Sequence, residues 1–325
     1  MASTFVETFI HLRTHSAYSF KYGTTQPRDL VARATQDHMP ALALTDRDGL
    51  AGAIRFAQSC VDYGVAPIIG INLAIDVESK SSTKEAKNLP RITLLAHGDG
   101  GWSSLCRLVS SLHTYQPSHQ IFGQSSHHGN GVLQRSTTPI LTLDFLNRFS
   151  QYSTNLLALH GPESPVGIAL ARQRPDIARA SFAQIREYFS SNAIECVSHL
   201  IAGDGPRSTT HAGRSLAFAR DNGIDAVITN AVRMLDREDG PIADILDSAR
   251  QLTPLHARHI ERKNAEAFLK SSHEMFAVAQ EIARAAGERN AQHLLRTTRE
   301  WAERAVLSPT RDIGLGGIHV SLIHI

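Results

Sequence analysis

Short apolar runs of strand length recur along the first two-thirds of the chain, separated by stretches with helical periodicity. The runs are continuous rather than alternating, which is typical of parallel strands that are buried on both faces. We expect seven strands, and they are Ile10–His15, Ala41–Thr45, Pro67–Ile75, Ile92–Ala96, Asn155–Leu159, Ala193–His199 and Ala226–Ala231.

Between these runs, apolar residues return every three or four positions, as they do on one face of a helix. This spacing predicts helices over Arg28–Gln36, Gly49–Tyr63, Trp102–His113, Pro165–Arg174, Asp176–Ser190 and Arg207–Asn222. Strands that alternate with helices indicate a parallel α/β fold, and seven such units favour a barrel over an open sheet.

Two regions depart from this alternation. The segment Ser118–Pro139 is rich in Ser, His, Gly and Gln, so we expect a mobile surface insertion at about residues 115–140. Beyond residue 240 the pattern predicts helices and no strand, over Ala243–Leu252, Ala265–Ser271, Glu274–Ala286 and Ala291–Val306. We therefore predict a barrel over residues 1–240 and an α-helical extension that leaves it over residues 241–325.

Composition narrows the classes of function. The chain has 325 residues and a formal net charge of +2, which argues against a dedicated nucleic-acid-binding module. The three cysteines are far apart, so neither a disulfide framework nor a zinc ribbon is indicated. We expect no signal peptide, and the sequence has no apolar run of the roughly 20 residues that a membrane span needs. We expect a cytoplasmic protein with no membrane contact.

Four segments at predicted strand ends carry a family resemblance: HLRTHSAYSFKYG (residues 11–23), PALALTDRDGLAGAIRF (40–56), APIIGINLAI (66–75) and AVITNAVRMLDRED (226–239). In order and spacing they resemble the N-terminal PHP (polymerase and histidinol phosphatase) domain of bacterial DNA polymerase III alpha subunits, replicative or error-prone and actinobacterial-like. The resemblance implies a distorted seven-stranded (β/α) PHP barrel. It also implies that the chain ends before the polymerase core, in which the full-length family carries out DNA-directed nucleotidyl transfer.

Metal-binding members of that family place a His-x-His pair, a TDH motif, a Gly-x-Glu and an Asn-Asp-Val-His at their strand ends. Such mixed imidazole and carboxylate ligands hold divalent ions that activate water against a phosphoester. Here the four motifs have become Arg13-Thr14-His15, Thr45-Asp46-Arg47, Gly70-Ile71-Asn72 and Asn230-Ala231-Val232-Arg233. By this resemblance two ligands survive, His15 and Asp46, and His199 is a loosely aligned further candidate. The replaced positions are Arg13, Arg47, Asn72, Ala231 and Arg233.

Three of the replaced ligands are arginines, and a guanidinium cannot ligate a metal. We hypothesise that Arg13, Arg47 and Arg233 replace the metal ions with an ion-pair network around Asp46. The alternative is that some of these arginines turn outwards into solvent. On the first view we expect a vestigial metal site, no catalytic residue and no cofactor; a functional site would instead hold Zn or Mn.

Two functions follow from the resemblance. The preferred one is a structural scaffold within a DNA polymerase III alpha subunit that serves DNA replication, with the rest of that subunit and other replication proteins as partners. DNA would then be bound only in the full-length protein. The alternative is a stand-alone metal-dependent PHP phosphoesterase or exonuclease, for which two surviving ligands are too few. A third reading, a non-functional remnant of a disrupted gene, stays open at this point.

Overall fold

The computed structural model describes residues 8–77, 89–115, 138–256, 260 and 262–316. Within these ranges the strands are β1 (Ala41–Leu44), β2 (Ala66–Asp76), β3 (Arg91–Ala96), β4 (Ile140–Thr142), β5 (Leu156–His160), β6 (Ser191–Val197) and β7 (Asp225–Thr229). The helices are α1 (Pro27–Gln36), α2 (Ala53–Tyr63), α3 (Gly101–Thr114), α4 (Leu143–Arg148), α5 (Pro165–Ala171), α6 (Pro175–Arg186), α7 (Thr209–Asp221), α8 (Gly240–Gln251), α9 (Ser272–Ala285) and α10 (Gln292–Ala305). Residues 118–137 of the predicted insertion lie outside the described part.

The strands form one curled sheet in the order β1-β2-β3-β5-β6-β7, with the short β4 paired to β2. β1 runs parallel to β2, and β5, β6 and β7 run parallel to one another. The expectation of an all-parallel sheet is wrong for β3, which is antiparallel to both of its neighbours. The hydrophobic pattern predicts no helix between β2 and β3, and a strand that returns without a crossover helix pairs antiparallel.

The segment before β1 closes the sheet into a barrel. The amide nitrogens of Ala43 and Thr45 donate to the carbonyls of His11 (2.9 Å) and Thr14 (2.8 Å). On the other side, the Val232 amide donates to the Arg13 carbonyl at 3.0 Å. The predicted strand Ile10–His15 is therefore not regular: its only bridge among the described residues joins Thr14 to Val232, because the few hydrogen bonds are divided between two neighbours. The fold is a distorted seven-stranded PHP-type barrel, with β4 as the strand that the sequence pattern missed.

The predicted helices between the strands are present, with ends that shift by up to four residues. The predicted helix Ala265–Ser271 is absent: this segment is extended, and Phe268 bridges Met234. The Asn230 side-chain nitrogen donates to the carbonyls of Glu266 and Phe268, each at 2.7 Å. A helix would need these two carbonyls as acceptors for its own backbone amides. Among the described helices, none has the length and apolar character to cross a bilayer.

The last helix, α10, packs against the end of the barrel at which β7 begins. Trp301 is almost fully buried in the barrel interior and donates from Nε1 to Asp225, the first residue of β7, at 2.9 Å. The Thr298 hydroxyl accepts from the Ile228 amide at 2.9 Å. Helix α9 packs on α7. The described part of the C-terminal segment therefore contacts the barrel, and the division at residue 240 stays a prediction.

Candidate functional site

The residues singled out from the sequence lie at the opposite end of the barrel, where the chain leaves its parallel strands. Functional groups collect at this end of parallel barrels because the connecting loops meet there. The structure places them after β1, in β2, after β6, after β7 and on the closing segment: Asp46, Arg47, Asn72, His199, Ala231, Arg233, Arg13 and His15.

Arg13 lies inside the barrel, with 2% of its surface exposed, between two glutamates. Its Nη1 is 3.1 Å from Glu195 Oε2, and its Nη2 is 2.7 Å from Glu163 Oε2. The Thr229 hydroxyl donates to the other oxygen of Glu195 at 2.5 Å. Gly161 makes room for this arrangement, since a Cβ there would lie 2.0 Å from Glu195 Oε2. Arg13 therefore has Glu195 and Glu163 as its ion-pair partners, and not Asp46.

Glu163 is shared by three guanidiniums. Besides Arg13, it contacts Arg207 through Oε1, and Arg47 Nη2 lies 3.6 Å from the same oxygen. Both oxygens of Glu163 are therefore engaged by guanidiniums.

Arg47 and Arg233 also contact the ring of Tyr22. Their guanidinium carbons lie 3.4 Å and 4.2 Å from its ring centroid, within the range of cation–π contact. Arg233 is also paired with Asp247 at 2.9 Å and 3.1 Å. Burial alone would raise the pKa of the Tyr22 phenol, but the surrounding guanidiniums, Arg47 first, lower that pKa to about 7.

Asp46 is held by serines instead of arginines. Its carboxylate accepts from the Ser16 amide (2.7 Å), the Ser16 hydroxyl (2.8 Å) and the Ser19 hydroxyl (2.7 Å). Burial raises the pKa of Asp46, and these three hydrogen bonds oppose that rise. The hypothesis of an ion-pair network around Asp46 is therefore wrong: the network centres on Glu163, Glu195 and Asp247, because the carboxylate of Asp46 is already satisfied by neutral donors.

The two candidate histidines are buried and neutral. His15 binds the Val232 carbonyl through Nδ1 at 2.9 Å, while its buried Nε2 has no partner among the described residues. Burial, followed by the charges of Arg13 and Arg47, lowers the pKa of His15 well below its usual value. His199 Nε2 lies 2.9 Å from the Asn230 carbonyl, and burial lowers the pKa of His199 to about 4.

The remaining two predicted positions are Asn72 and Ala231. The Asn72 side chain donates to Thr93 Oγ1 at 3.0 Å and accepts from Arg91 Nε at 2.6 Å. The same Arg91 pairs with Asp48 at 2.6 Å. Ala231 adopts a left-handed backbone with φ of 43° and offers only a methyl group.

These residues do not fit a divalent metal cluster of the kind that the family resemblance implies. No group of three or more His, Cys, Asp or Glu side chains within the described ranges is arranged to hold a metal ion. The carboxylates of Glu163 and Glu195 face arginines, and that of Asp46 faces serines. His15 Nε2 is a buried ring nitrogen at this end with no hydrogen-bond partner among the residues described. One imidazole beside carboxylates that are already paired is too few for a metal that activates water.

Sequence reasoning missed several residues of this site: Tyr22, Arg91, Glu163, Glu195 and Arg207. Glu195 had a signal, because an acidic residue within the apolar strand β6 is rarely buried unless it is paired. Glu163 shortly follows β5, a position at which functional residues collect. For Arg207 and Arg91 the sequence carries no comparable signal, since an arginine in a loop or at a strand start is ordinarily solvated.

Comparisons with known proteins agree with the family resemblance. A model of the PHP domain family matches residues 11–199. An error-prone DNA polymerase of Symbiobacterium thermophilum is 29% identical over 81% of this chain and 23% of its own length. A DNA polymerase III subunit alpha of Buchnera aphidicola is 27% identical over 82% of this chain and 21% of its own length.

The chain thus spans less than a quarter of these relatives. A solved structure of a putative metal-dependent phosphoesterase from Bifidobacterium adolescentis is 11% identical, with a TM-score of 0.42, over 68% of this chain and 86% of its own. On the family match, which covers more than half of its residues, this chain belongs to the PHP domain family.

Proposed function

We propose that this chain is the PHP region of a DNA polymerase III alpha-type protein, in which it serves as a scaffold and not as a hydrolase. The two polymerase relatives named above, each similar over about four-fifths of this chain, support the parentage. DNA-directed DNA synthesis then belongs to the whole polymerase. Its partners are the rest of the alpha subunit and other replication proteins, and its location is the cytoplasm.

The observation that supports the loss of hydrolysis best is the position of Arg13. Its guanidinium lies between Glu195 and Glu163, at a motif position where metal-binding members of the family have a histidine. A permanent cation bonded to both carboxylates opposes the binding of a divalent cation by electrostatic repulsion and by occupying the oxygens. We infer that Arg13, Arg47, Asn72, Ala231 and Arg233 mark a vestigial metal site, with His15, Asp46 and His199 as its remaining members.

A hydrolysis assay tests this proposal. The purified chain is incubated with p-nitrophenyl phosphate and with a single-stranded oligonucleotide, with Mn²⁺ or Zn²⁺ added in separate reactions. We expect no turnover above the metal-only background. Metal-dependent turnover that is lost in both His15→Ala and Asp46→Asn would instead establish the phosphoesterase alternative.

The variant Arg13→His is the matched control, since it restores the residue type of the family motif at this position. A gain of metal-dependent turnover in Arg13→His alone would support the view that the arginine displaced a ligand. Arg284→His, on the exposed face of α9, makes the same substitution away from the site and controls for the substitution itself.

A further inference from the structure

Helix α8 turns its acidic side towards the protein and its apolar side towards solvent. On the inner side, Asp244 and Asp247 are buried and form ion pairs with arginines. On the outer side, Ile242 and Ile245 are 49% and 54% exposed, and Leu252, at the end of the helix, is 87% exposed. A helix at a protein surface ordinarily buries its apolar stripe. The reversed orientation leaves this stripe open to solvent within the described part of the fold.

The buried ion pairs hold α8 in this orientation. Arg262 donates to the two carboxylate oxygens of Asp244 at 2.8 Å and 2.6 Å. Arg233 donates to the two oxygens of Asp247 at 2.9 Å and 3.1 Å. Rotation of the helix to bury its isoleucines would break both pairs and leave buried charges uncompensated. The apolar side is therefore fixed outwards, where only a further chain segment or a second molecule can cover it.

The exposed apolar residues have the spacing of a helix-pairing seam. Successive intervals of three, four and three residues, the a/d pattern of paired helices, separate four residues that we call the α8 seam: Ile242, Ile245, Ala249 and Leu252. Leu252 has a left-handed backbone with φ of 57°, at a helix end where glycine is the common residue. A leucine there costs both backbone strain and exposed apolar surface, and an apolar contact would offset the second of these.

The α8 seam is complementary to itself when two copies of the helix pair antiparallel. A two-fold axis that passes between residues 245 and 246 places Ile242 of one copy opposite Ala249 of the other, so that a large side chain meets a small one. The two Ile245 side chains then meet at the centre. The same axis places the beginning of each helix beside the end of the other, which brings opposite ends of the helix dipoles together.

Charged residues at the two ends of α8 favour the same arrangement. Glu238 lies just before the helix, is exposed, and has no ion-pair partner among the described residues. Lys21 lies at the other end, where its Nζ donates to the Ala249 carbonyl at 3.2 Å. Antiparallel pairing brings Glu238 of each copy towards Lys21 of the other. Phe20, which is 79% exposed and whose ring centroid lies 5.2 Å from Lys21 Nζ, adds apolar surface beside the seam.

We propose that the α8 seam is a self-association surface, on which two copies of this chain form an antiparallel dimer with two-fold symmetry. One helix and one loop from each copy make a small contact, so the dimer is weak, with a dissociation constant of roughly 10–100 µM. The inference goes beyond the scaffold proposal, because self-association requires neither a polymerase partner nor the loss of hydrolysis.

Sedimentation equilibrium of the purified chain from about 5 µM to about 500 µM tests the dimer. We expect the weight-average mass to rise with concentration from that of one chain towards that of two. Ile245→Glu places two charges at the centre of the seam and should weaken association roughly tenfold or more.

Ile177→Glu is the matched control, because it makes the same substitution at an isoleucine of α6 that is 43% exposed. Its association should equal that of the unmodified chain. Thermal unfolding of both variants should match that of the unmodified chain, since both residues are at the surface.

Charge reversal tests the antiparallel arrangement. Glu238→Lys and Lys21→Glu each place like charges opposite one another at both ends of the symmetric pair, and each should weaken self-association roughly tenfold. A mixture of the two variants restores opposite charges at both ends, so it should associate as tightly as the unmodified chain. A mixture that associates no better than either variant alone would contradict the antiparallel arrangement.

A mass of one chain at every concentration up to about 500 µM would overturn the proposal. So would equal association of the unmodified chain and Ile245→Glu. A chain that stays monomeric but binds a separately purified polymerase core, with an affinity that Ile245→Glu lowers, would assign the seam to the rest of the alpha subunit instead. None of these results changes the outcome of the hydrolysis assay, which does not depend on the oligomeric state.

Discussion

Arg13 Nη1 lies 3.1 Å from Glu195 Oε2 in the interior of the barrel, and both side chains are almost fully buried. The pair joins the closing segment to β6 across 182 residues of sequence. Loss of one partner from a buried ion pair leaves the other charge uncompensated. Arg13→Met should therefore lower the free energy of unfolding by about 3–5 kcal/mol.

Urea denaturation followed by circular dichroism measures this loss. Arg284→Met is the control, because its pair with Glu281 is exposed and pairs of that kind contribute about 0–1 kcal/mol. The double variant Arg13→Met with Glu195→Leu should recover part of the loss, since it removes both charges. A loss below about 1 kcal/mol for Arg13→Met would contradict a buried pair.

Tyr22 should ionise near neutral pH. Its phenol has a pKa of about 7 in the folded chain, below the roughly 10 of an unfolded one. Because the folded pKa is the lower one, the ionised phenol contributes stability that is fully present above pH of about 10 and is lost as pH falls through 7.

Absorbance near the tyrosinate band should therefore rise between pH 6 and 8 in the unmodified chain and stay flat in Tyr22→Phe. The difference in unfolding free energy between these two proteins should grow with pH from about 7 to about 10. A tyrosinate signal that appears only near pH 10, as in a denatured control, would show that the guanidiniums do not act on this ring.

Buried histidines should make the fold sensitive to acid. Burial lowers the pKa values of His11, His160 and His199 to about 4, below the unfolded value near 6.5. A lowered folded pKa means that the unfolded chain takes up more protons between these two values. The free energy of unfolding should therefore fall as pH drops from about 6.5 to about 4.

Urea denaturation at pH 7 and at pH 5 measures this slope. His160→Asn removes one of the three buried imidazoles and should reduce the difference between the two pH values. An unchanged slope in this variant would show that His160 is protonated to the same extent in the folded and unfolded chain.

Asp46 should stabilise the fold by accepting hydrogen bonds from Ser16 and Ser19, and not by ligating a metal. Asp46→Ala leaves the Ser16 amide and the hydroxyls of Ser16 and Ser19 without their acceptor, each lost partner costing about 1–3 kcal/mol. Asp46→Asn keeps one acceptor oxygen and should be less destabilising. Thermal unfolding of both variants, with and without EDTA, checks this. Stabilisation of the unmodified chain by added Mn²⁺, absent in Asp46→Asn, would indicate a metal ligand instead.

Trp301 should be part of the barrel core. It is 1% exposed, and truncation of a buried aromatic residue costs about 3–5 kcal/mol. Trp301→Ala should therefore destabilise β7 and the barrel together, in one cooperative transition. Two separate unfolding transitions in the unmodified chain would support the division at residue 240 that the hydrophobic pattern predicts.

Hydrophobic periodicity predicted most of the fold, because strand and helix cores are long apolar runs of clear period. It failed where long-range pairing decides the outcome. The apolar residues of the segment Ala265–Ser271 have helical spacing. The segment is nevertheless extended, because the Asn230 side chain donates hydrogen bonds to the carbonyls of Glu266 and Phe268. The antiparallel pairing of β3 with β5 joins strands that are separated by α3 in the sequence, and no local pattern encodes it.

The sequence predicted where the candidate site residues lie, but only partly which residues they contact. The motif resemblance located Arg13, Arg47 and Arg233 at the strand ends, and all three form ion pairs or cation–π contacts. Asp46 was expected to be their partner because it is the carboxylate ligand that survives in the motifs. The observed partners, Glu163 and Asp247, lie outside those motifs, so only the folded chain brings them to the arginines.

We propose that guanidiniums occupy the space that divalent ions fill in metal-binding PHP domains. The most direct measurement is the amount of Mn²⁺ or Zn²⁺ retained by the purified chain after loading and gel filtration, determined by elemental analysis. We predict well under one equivalent of metal per chain, unchanged in His15→Ala. One or more equivalents that are lost in His15→Ala would contradict the account.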